Sequence, residues 1–434
     1  MSITITNIQS TFEREPLIRP FGFKGGYMKE IWQTAVLLTS ESRQKIGLAT
    51  QNALWSDAAV YANHSPTAAE SLMYVMSEYA LQLVKGKSFI TPIQLLDDIY
   101  EKVHAYGVYI TGCPGLRKTF ALNALVALDN AAWLLYAAEN GLNSFDELIP
   151  DDYKSSLSQH HSRVASIPLM AYGVPLQEIV AAVKNGYFFL KIKIGQPGPQ
   201  EEMLEKDKAR ISDIHRAVQG YETPFTQNGK LPYYFDANGR YETKELLIRL
   251  LEHLEDIGAL EQTIMIEEPF PEEYEEAVHD LPVRLAADES AHTDVEALKR
   301  IQLGYKAMAL KPIAKTLSMT FKVAHIAFEH NVPCFCADLT VNPILVDWNK
   351  NVAARLAPFP GLDNMGLLET NGHQNYANWS VMQTYHPLYG ATWMRPKQGI
   401  FLTDETFYAE SGGMFAESTH YRDLLGAQKD LEST

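Results

Sequence analysis

The stretch FFLKIKIG, residues 188–195, has the composition of a buried β-strand, yet it places two lysines among apolar residues. Successive side chains of a strand point to opposite faces, so Lys191 and Lys193 share one face. Burying two neighbouring ammonium groups is costly unless other charges compensate them. The stretch therefore raises the question of what compensates these lysines.

Around this stretch, short apolar strands alternate with helical segments. After Ser166 we count eight such strands over roughly 210 residues: IPLMAYG, FFLKIKIG, YYFDANGR, IMIEEPF, VRLAADES, YKAMALKP, VPCFCADLTVNP and GLLETNGH. Helices are expected between them, including a short one at residues 272–280. This alternation indicates a parallel sheet covered by helices, and eight units suit a closed (β/α)8 barrel, here a modified TIM barrel. An open doubly wound sheet is the alternative, but the region has no G-x-G-x-x-G or Walker motif.

The first part of the chain predicts a separate α+β domain. Two strands, TITNIQSTFER and TAVLLTSES, precede three helical segments between about residues 65 and 140. Residues 19–32 between these strands are rich in glycine and aromatic residues, which fits either a surface loop or a mobile lid. The apolar run at residues 121–138 is interrupted by Asn123, Asp129 and Asn130, which favours a buried helix over a membrane span.

Composition excludes several classes of protein. The formal net charge of −16 argues against a nucleic-acid partner and against an anionic membrane. Three cysteines, Cys113, Cys334 and Cys336, are too few and too unevenly placed for a disulfide framework, and no nearby residues complete a metal site with them. The N-terminus lacks a basic-then-apolar signal pattern. We therefore expect a cytoplasmic protein.

Charged residues occur at the carboxyl ends of seven consecutive strands, which is the catalytic face of such a barrel. In chain order they are Lys191 and Lys193, Asp236 with Asn238, Glu267 and Glu268, Asp288 and Glu289, Lys311, Asp338, and Glu369. A single charged strand end means little, because strands must exit into solvent. Seven in succession predict a functional rim, with a merely solvated rim as the alternative.

The chemistry of these residues predicts a metal-assisted reaction. Asp236, Glu267 and Asp288 lie on neighbouring strands and can supply oxygen ligands to one hard cation, for which Mg²⁺ is best suited. Lys191 and Lys193 on the second strand lie nearly opposite Lys311 on the sixth strand. A carboxylate substrate between them would have a lysine on each side. This arrangement suits abstraction of the proton α to a carboxylate, because a metal and ammonium groups stabilise the resulting enediolate.

The sequence resembles the enolase superfamily, specifically its mandelate racemase/muconate lactonizing branch. The resemblance covers the whole chain and rests on five motifs in order, KIK (191–193), FDANGRY (235–241), IEEP (266–269), ADES (287–290) and LKP (310–312). It implies a capping domain at residues 1–160, a barrel at residues 161–385 and a C-terminal segment, residues 386–434, that returns to the cap. It also implies that residues 21–32 form a lid over the substrate, and that the protein is a homo-oligomer.

The resemblance also implies roles for individual residues. Asp236, Glu267 and Asp288 would be the Mg²⁺ ligands, with ADES favouring Asp288 over Glu289. Lys193 and Lys311 would be the acid/base pair, and Lys191 would help to hold the substrate carboxylate. Asn238 and Glu268 would support the ligands. The further candidate contacts to substrate are Asn238, Asp338, Glu369, Asn371 and His373, although His373 could equally be an exposed loop residue.

The motifs leave three functional hypotheses. The seventh strand has no His and the sixth carries Lys311, which resembles the muconate-lactonizing subgroup. Two lysines on opposite faces favour an isomerase, either a racemase or epimerase or a cycloisomerase, acting on a small-molecule carboxylate. The eighth strand has ETNGH where dipeptide epimerases of this subgroup have Asp-x-Asp, and this polar segment keeps an acid-sugar dehydratase open. A non-catalytic binding protein is the third hypothesis, although all three acids and both lysines are present.

Overall fold

The computed structural model describes residues 2–23 and 26–426. The strands are β1 (Ile3–Thr4), β2 (Asn7–Phe23), β3 (Gly26–Thr39), β4 (Gln44–Gln51), β5 (Ser88–Phe89), β6 (Arg163–Ile167), β7 (Leu169–Met170), β8 (Leu190–Lys193), β9 (Tyr233–Asp236), β10 (Thr263–Glu267), β11 (Leu285–Ala287), β12 (Ala307–Leu310), β13 (Cys334–Cys336), β14 (Gly366–Glu369) and β15 (Ile400–Leu402).

The α-helices are α1 (Ala53–Ser56), α2 (Ala58–Asn63), α3 (Pro66–Val84), α4 (Pro92–Thr111), α5 (Lys118–Asn140), α6 (Phe145–Leu148), α7 (Leu176–Lys184), α8 (Gln200–Val218), α9 (Lys244–Asp256), α10 (Asp294–Leu303), α11 (Pro312–Lys315), α12 (Leu317–Glu329), α13 (Pro343–Ala353), α14 (Gly372–Asn375), α15 (Trp379–Met382), α16 (Glu405–Glu410) and α17 (Thr419–Leu425). Short 3₁₀ segments occupy Asp151–Leu157, Leu260–Gln262, Gln383–Tyr385, Thr392–Met394 and Ser411–Gly413.

Helix α5 packs against the antiparallel sheet β2-β3-β4. The two asparagines that interrupt its apolar run bind the edge strand β4: Asn123 donates to the Thr50 carbonyl at 3.1 Å and Asn130 to the Leu48 carbonyl at 2.9 Å. Edge carbonyls that are buried need such partners. By length and composition α5 could cross a membrane, but 94% of its apolar window is buried inside the protein, as in a core helix.

The segment at residues 19–32 is not the loop that its glycines suggest. Within the described residues, β2 and β3 extend into it from either side and pair antiparallel, with Phe21 paired to Met28 and a register shift between Pro16 and Phe21. Proline has no N–H to donate to the ladder, and three prolines or glycines, Pro16, Pro20 and Gly22, lie on β2. Phe21 and Phe23 alternate with Pro20 and Gly22, and aromatic residues favour the extended strand conformation despite the proline and the glycine. Residues 24 and 25 of the predicted lid lie outside the described residues.

The parallel strands form one sheet in the order β7-β8-β9-β10-β11-β12-β13-β14-β6, and antiparallel β15 joins β6. Only Pro168 separates β6 from β7. Its carbonyl accepts the Lys191 backbone N–H at 3.1 Å, and the preceding Ile167 carbonyl accepts that of Thr370 at 2.9 Å. The two ends of the sheet are thus one interrupted strand, and the sheet closes into an α/β barrel, as predicted.

One predicted helix is absent from the barrel. Residues 271–283, between β10 and β11, contain turns and no helix. Four glutamates within five residues repel one another at helical spacing. Arg300 of α10 instead hydrogen-bonds to the backbone carbonyls of this segment. It donates to the Tyr274 carbonyl at 2.7 Å and also to that of Glu272. The prediction of a helix at residues 272–280 is therefore wrong.

The C-terminal segment contacts both parts of the molecule. β15 pairs with β6 of the barrel, and α17 packs against β2 and β3 of the N-terminal sheet. The His420 ring lies 2.9 Å from a carboxylate oxygen of Glu13. Between the barrel and the N-terminal region, the Arg355 guanidinium donates to both carboxylate oxygens of Asp146, at 2.7 and 2.8 Å. These contacts hold the N-terminal sheet over the barrel.

Candidate active site

The charged ends of the barrel strands surround one small chamber of about 30 Å³. Most of the predicted site residues line it: Lys191, Lys193, Asp236, Asn238, Asp288, Lys311, Asp338, Glu369 and Asn371. Glu267 is fully buried and contacts the Lys191 ammonium at 3.1 Å. The N-terminal region completes the wall with Phe21, Phe23, Asn52 and Trp55. The chamber thus lies where the N-terminal region meets the carboxyl ends of the strands.

The two lysines of β8 have overlapping but different partners. The Lys191 ammonium is buried among three carboxylates, with contacts of 2.8 Å to Asp236, 3.1 Å to Glu267 and 3.0 Å to Glu369. Burial opposes its charge, but the carboxylates outweigh burial and raise the pKa of Lys191 well above its ordinary value. Lys193 donates to Asp236 at 2.5 Å and to the side-chain oxygen of Asn238. The compensation that the strand requires is therefore a cage of carboxylates.

Lys311 lies on the other side of this cage, immediately after β12. Its ammonium donates to Asp288 at 2.5 Å and lies 3.9 Å from the centre of the Trp55 ring. Burial lowers the pKa of Lys311, but the nearby Asp288 and Glu289 carboxylates outweigh it, so the net direction is upward. A cation over the face of an indole is also stabilised by the ring. Trp55, from the N-terminal region, thus shields Lys311 from solvent.

Three buried carboxylates could hold a cation. Within the described part of the chain, Glu267, Asp288 and Glu289 place oxygens within 4.8 Å of one another. One oxygen each of Glu267 and Glu289 is buried without a hydrogen-bond partner. An unpartnered buried oxygen is costly, and oxygen-only donors suit a hard divalent cation. The donor set therefore fits a metal such as Mg²⁺.

The sequence motif and the observed carboxylate cluster differ in the third candidate metal ligand: the motif indicates Asp236, whereas the cluster contains Glu289. Asp236, the residue that the motif indicates, has one oxygen shared by Lys191 and Lys193, while its other oxygen accepts the Asn238 backbone N–H at 3.0 Å. Burial opposes its ionisation, but the two lysines outweigh this effect and lower the pKa of Asp236. Glu289, the alternative on the fifth strand, accepts the Asn238 side-chain amide at 2.8 Å. Asn238 thus links the two candidate ligands.

Glu268 supports the segment that carries Asp288. Its carboxylate accepts the Asp288 backbone N–H at 2.8 Å and the Ser290 hydroxyl at 3.1 Å. Burial, followed by repulsion from Glu289, raises the pKa of Glu268 to about 8. Its positive φ of 40° turns the chain out of β10. The side chain therefore orients the segment that carries a neighbouring carboxylate, and its supporting role at a metal site stays a prediction.

On the seventh and eighth strands the polar residues bind mainly one another. Asp338 accepts the backbone N–H groups of Leu339, Val341 and Asn371, and burial, followed by repulsion from Glu369, raises its pKa to about 7. The Asn371 amide donates to Glu369 at 3.2 Å. These three acidic and amide side chains form a prebuilt wall of the chamber, with Glu369 facing Lys191.

His373 is not brought to the other predicted residues. It does not line the chamber, and its ring packs between those of Tyr187 and Trp379, with centroids 6.4 Å from each. Burial lowers its pKa to about 4. Its surroundings are those of an aromatic packing contact.

The sequence reasoning missed Lys315. It follows Lys311 by four residues, one turn along α11, and is buried. Its ammonium donates to the carbonyls of Asp288 at 2.6 Å and Ala291 at 3.0 Å. It also lies 3.5 Å from a carboxylate oxygen of Asp288. The spacing of four within LKPIAK was the available signal, because residues four apart share one helix face.

Comparison with known proteins agrees with this architecture. Residues 176–376 match the family model described as enolase C-terminal domain-like. A search of curated proteins found no match. Similar solved structures include a mandelate racemase/muconate lactonizing protein from Herpetosiphon aurantiacus, with 16% identity over 92% of this chain and 95% of that chain and a TM-score of 0.63.

Two further structures are similar over most of their length. A dipeptide epimerase from Enterococcus faecalis V583, complexed with Mg and the dipeptide L-Leu-L-Tyr, is 16% identical over 92% of this chain and 100% of that chain, with a TM-score of 0.61. An N-succinyl Arg/Lys racemase from Bacillus cereus ATCC 14579 is 17% identical over 87% of this chain and 89% of that chain, with a TM-score of 0.62. At this identity these structures establish a shared fold.

The enolase C-terminal domain-like model thus matches the barrel region of the chain, and the similar structures show that the chain shares the fold of mandelate racemase/muconate lactonizing proteins.

Proposed function

We propose that the protein is a Mg²⁺-dependent isomerase that removes and returns the proton α to a carboxylate. The observation that carries the proposal is the entry of Lys193 and Lys311 into one chamber from β8 and from the end of β12. Each lysine is paired with a different aspartate, Asp236 or Asp288. Two amines on different sides of one substrate position suit proton transfer from one face to the other.

We propose Glu267 and Asp288 as metal ligands, with Asp236 as the third ligand and Glu289 as the alternative. A Mg²⁺ ion held there would supply positive charge that stabilises an enediolate and lowers the pKa of nearby lysines. The unpartnered oxygens of Glu267 and Glu289 support this assignment.

The other side chains would bind and shield the substrate. Lys191, on the same face as Lys193, would pair with the substrate carboxylate. Phe23 and Trp55, both buried, would exclude water from the chamber. Lys193 would take the proton from one face and Lys311 would return it to the other, so that one lysine must be neutral when the other is charged. A low-dielectric chamber strengthens all of these interactions.

We further propose that residues 1–160 and 386–434 form the cap, and residues 161–385 the catalytic barrel. Support comes from the four N-terminal residues in the chamber wall and from the contacts of α17 with β2 and β3. Residues 21–32 would act as the lid, since Phe21 and Phe23 line the chamber. A homo-oligomeric state and a cytoplasmic location stay predictions.

Deuterium exchange tests the proposed reaction. The protein would be incubated in D₂O with Mg²⁺ and a panel of N-acyl amino acids, dipeptides and acid sugars, and the products followed by NMR. We expect α-deuteration without loss of water on at least one member, abolition by EDTA and recovery with Mg²⁺. A 2-keto product would instead identify a dehydratase, and activity that persists in EDTA would contradict the metal assignment.

A further inference from the structure

The small chamber opens into a second, larger cavity. The outer cavity has a volume of about 460 Å³ and shares Phe21, Phe23, Leu169, Lys193 and Asn238 with the chamber. A chamber of about 30 Å³ holds roughly two water molecules, so it can take little more than the reacting end of a substrate. The remainder of the substrate must extend past Lys193 into the outer cavity, whose size suits a small-molecule ligand.

The outer cavity has a strong charge bias. Three cationic side chains line it, those of Lys193, Arg19 and Arg240, and no acidic side chain among the described residues does so. Lys193 is already paired with Asp236, and the exposed Arg19 lies 3.8 Å from Glu178. The positive potential of the cavity is therefore carried mainly by Arg240.

Arg240 has a fixed backbone, but its guanidinium has no partner among the described residues. Its side chain is partly buried and forms no hydrogen bond or ion pair with any of the residues described. Its backbone is fixed, because its N–H donates to the Ala237 carbonyl at 3.2 Å and its carbonyl accepts the Gln200 amide at 2.9 Å. The stem lies over Gly195, where an added Cβ would come within 2.7 Å of the Arg240 Cβ.

Another part of the cavity wall, the loop that follows β7, is also fixed. Tyr172 donates its hydroxyl to the Ile194 carbonyl at 2.9 Å, and Arg210 donates to the carbonyls of Ala171 at 3.2 Å and Val174 at 2.9 Å. These bonds hold the loop that follows β7 without using Arg240. The Arg240 guanidinium is thus left with its donors available to a ligand, in a fork that matches carboxylate or phosphoryl oxygens.

We propose that the substrate carries a second anionic group, distant from its reacting carboxylate, and that Arg240 binds this group in the outer cavity. The inference rests on the proposed function only in taking the chamber as the site of the reacting carboxylate. It names the substrate class as a dianion, with a carboxylate or a phosphoryl group at the distal end.

Direct binding in the presence of Mg²⁺ tests the proposal without a known substrate. Isothermal titration calorimetry would compare adipate with its half-amide, adipamate, which has the same length but lacks the second charge, and with 5-phosphonopentanoate. Wild type should bind a dianion about tenfold or more tightly than adipamate, because a charge-assisted bidentate contact is lost. Whichever dianion binds more tightly identifies the distal group.

Variants assign the preference to one residue. Arg240→Met should abolish the preference for a dianion over adipamate while leaving adipamate binding unchanged. Arg240→Lys should retain part of this preference. Arg249→Met is the matched control: it removes the same charge from an exposed position on α9, where Arg249 pairs with Glu201, and should change neither affinity.

Equal affinity of the wild type for dianion and half-amide would overturn the proposal, as would an unchanged preference in Arg240→Met. Each variant would first be checked for folding by circular dichroism, and the wild-type comparison stands without any variant. A dianion preference without α-deuteration of any substrate would refute the proposed reaction but not this subsite.

Discussion

Lys191 and Lys193 lie two residues apart on β8, yet their surroundings indicate different roles for the two ammonium groups. Lys191 contacts three buried carboxylates, whereas Lys193 donates to Asp236 and Asn238, lies over the Phe23 ring and lines both cavities. A group that balances several fixed charges is poorly placed to lose its proton. A group with fewer partners and access to the larger cavity is better placed to exchange one.

Removing Lys191 should therefore cost stability as well as function. In Lys191→Met the carboxylates of Asp236, Glu267 and Glu369 would lose their shared counter-charge, and we expect a loss of about 3–5 kcal/mol in the free energy of unfolding in EDTA. Urea denaturation measures this loss. Lys206→Met, on the exposed face of α8, is the control and should leave the midpoint unchanged. An unaltered midpoint in Lys191→Met would contradict the charge-cage account.

At the scale of elements, Gly47 shows why β4 and α5 can lie so close together. A Cβ at this position would overlap the Ala127 carbonyl oxygen and the Ala131 backbone nitrogen of α5. Neither backbone atom can move without disturbing the helix. We expect Gly47→Ala to lower the free energy of unfolding by about 3 kcal/mol, near the upper end of the usual cost of overpacking. Gly115→Ala, where nothing lies within 4 Å, should have little effect in the same chemical denaturation experiment.

A contact between the helices α5 and α12 should make a contribution to stability that depends on pH. Asp129 accepts the Ser318 hydroxyl at 2.5 Å and its backbone N–H at 3.0 Å. Burial, only partly opposed by these hydrogen bonds, raises the pKa of Asp129 to about 7. The folded protein then binds a proton that the unfolded chain releases near pH 4, so this residue's contribution to stability falls as the pH rises from about 4 to about 7.

The variant Asp129→Asn should remove this dependence, since asparagine is a neutral analogue of the protonated acid. Relative to wild type, its free energy of unfolding should rise between pH 4 and 7, by at most about 4 kcal/mol, and change no further above pH 7. Denaturation curves at several pH values measure the difference. Parallel pH profiles for the two proteins would contradict the assignment.

The helices and strands also show which parts of the fold and of the candidate site could be predicted from the sequence. The ends of apolar strands identified most of the chamber, because side chains at the carboxyl ends of parallel strands must meet at one rim. Local rules failed where tertiary contacts prevailed. The helix expected at residues 272–280 is replaced by turns bound to Arg300, and the described part of the glycine-rich segment at residues 19–32 lies on the paired strands β2 and β3. Lys315 and Arg240 were missed because neither ends a strand.

Across the whole molecule, the chamber exists only where two parts of the chain meet. Barrel residues supply its charges, while Phe21, Phe23, Asn52 and Trp55 of the N-terminal region supply part of its wall. A buried chain of hydrogen bonds joins the two parts: Gln33 donates to the Tyr376 hydroxyl at 2.7 Å, and Asn342 donates to Gln33 at 3.0 Å. The domain boundaries at residues 160/161 and 385/386 stay predictions.

The central claim is that Lys193 and Lys311 serve opposite faces of one α-carbon. Its most direct test is enantiomer-resolved α-deuterium exchange, measured by NMR on the chiral substrate that the panel identifies, for Lys193→Ala and Lys311→Ala. We expect neither variant to interconvert the enantiomers, with each retaining exchange on one enantiomer only and the two variants retaining opposite ones. Lys208→Ala on α8 should behave as wild type. Exchange of both enantiomers at the wild-type rate in either lysine variant would contradict the account.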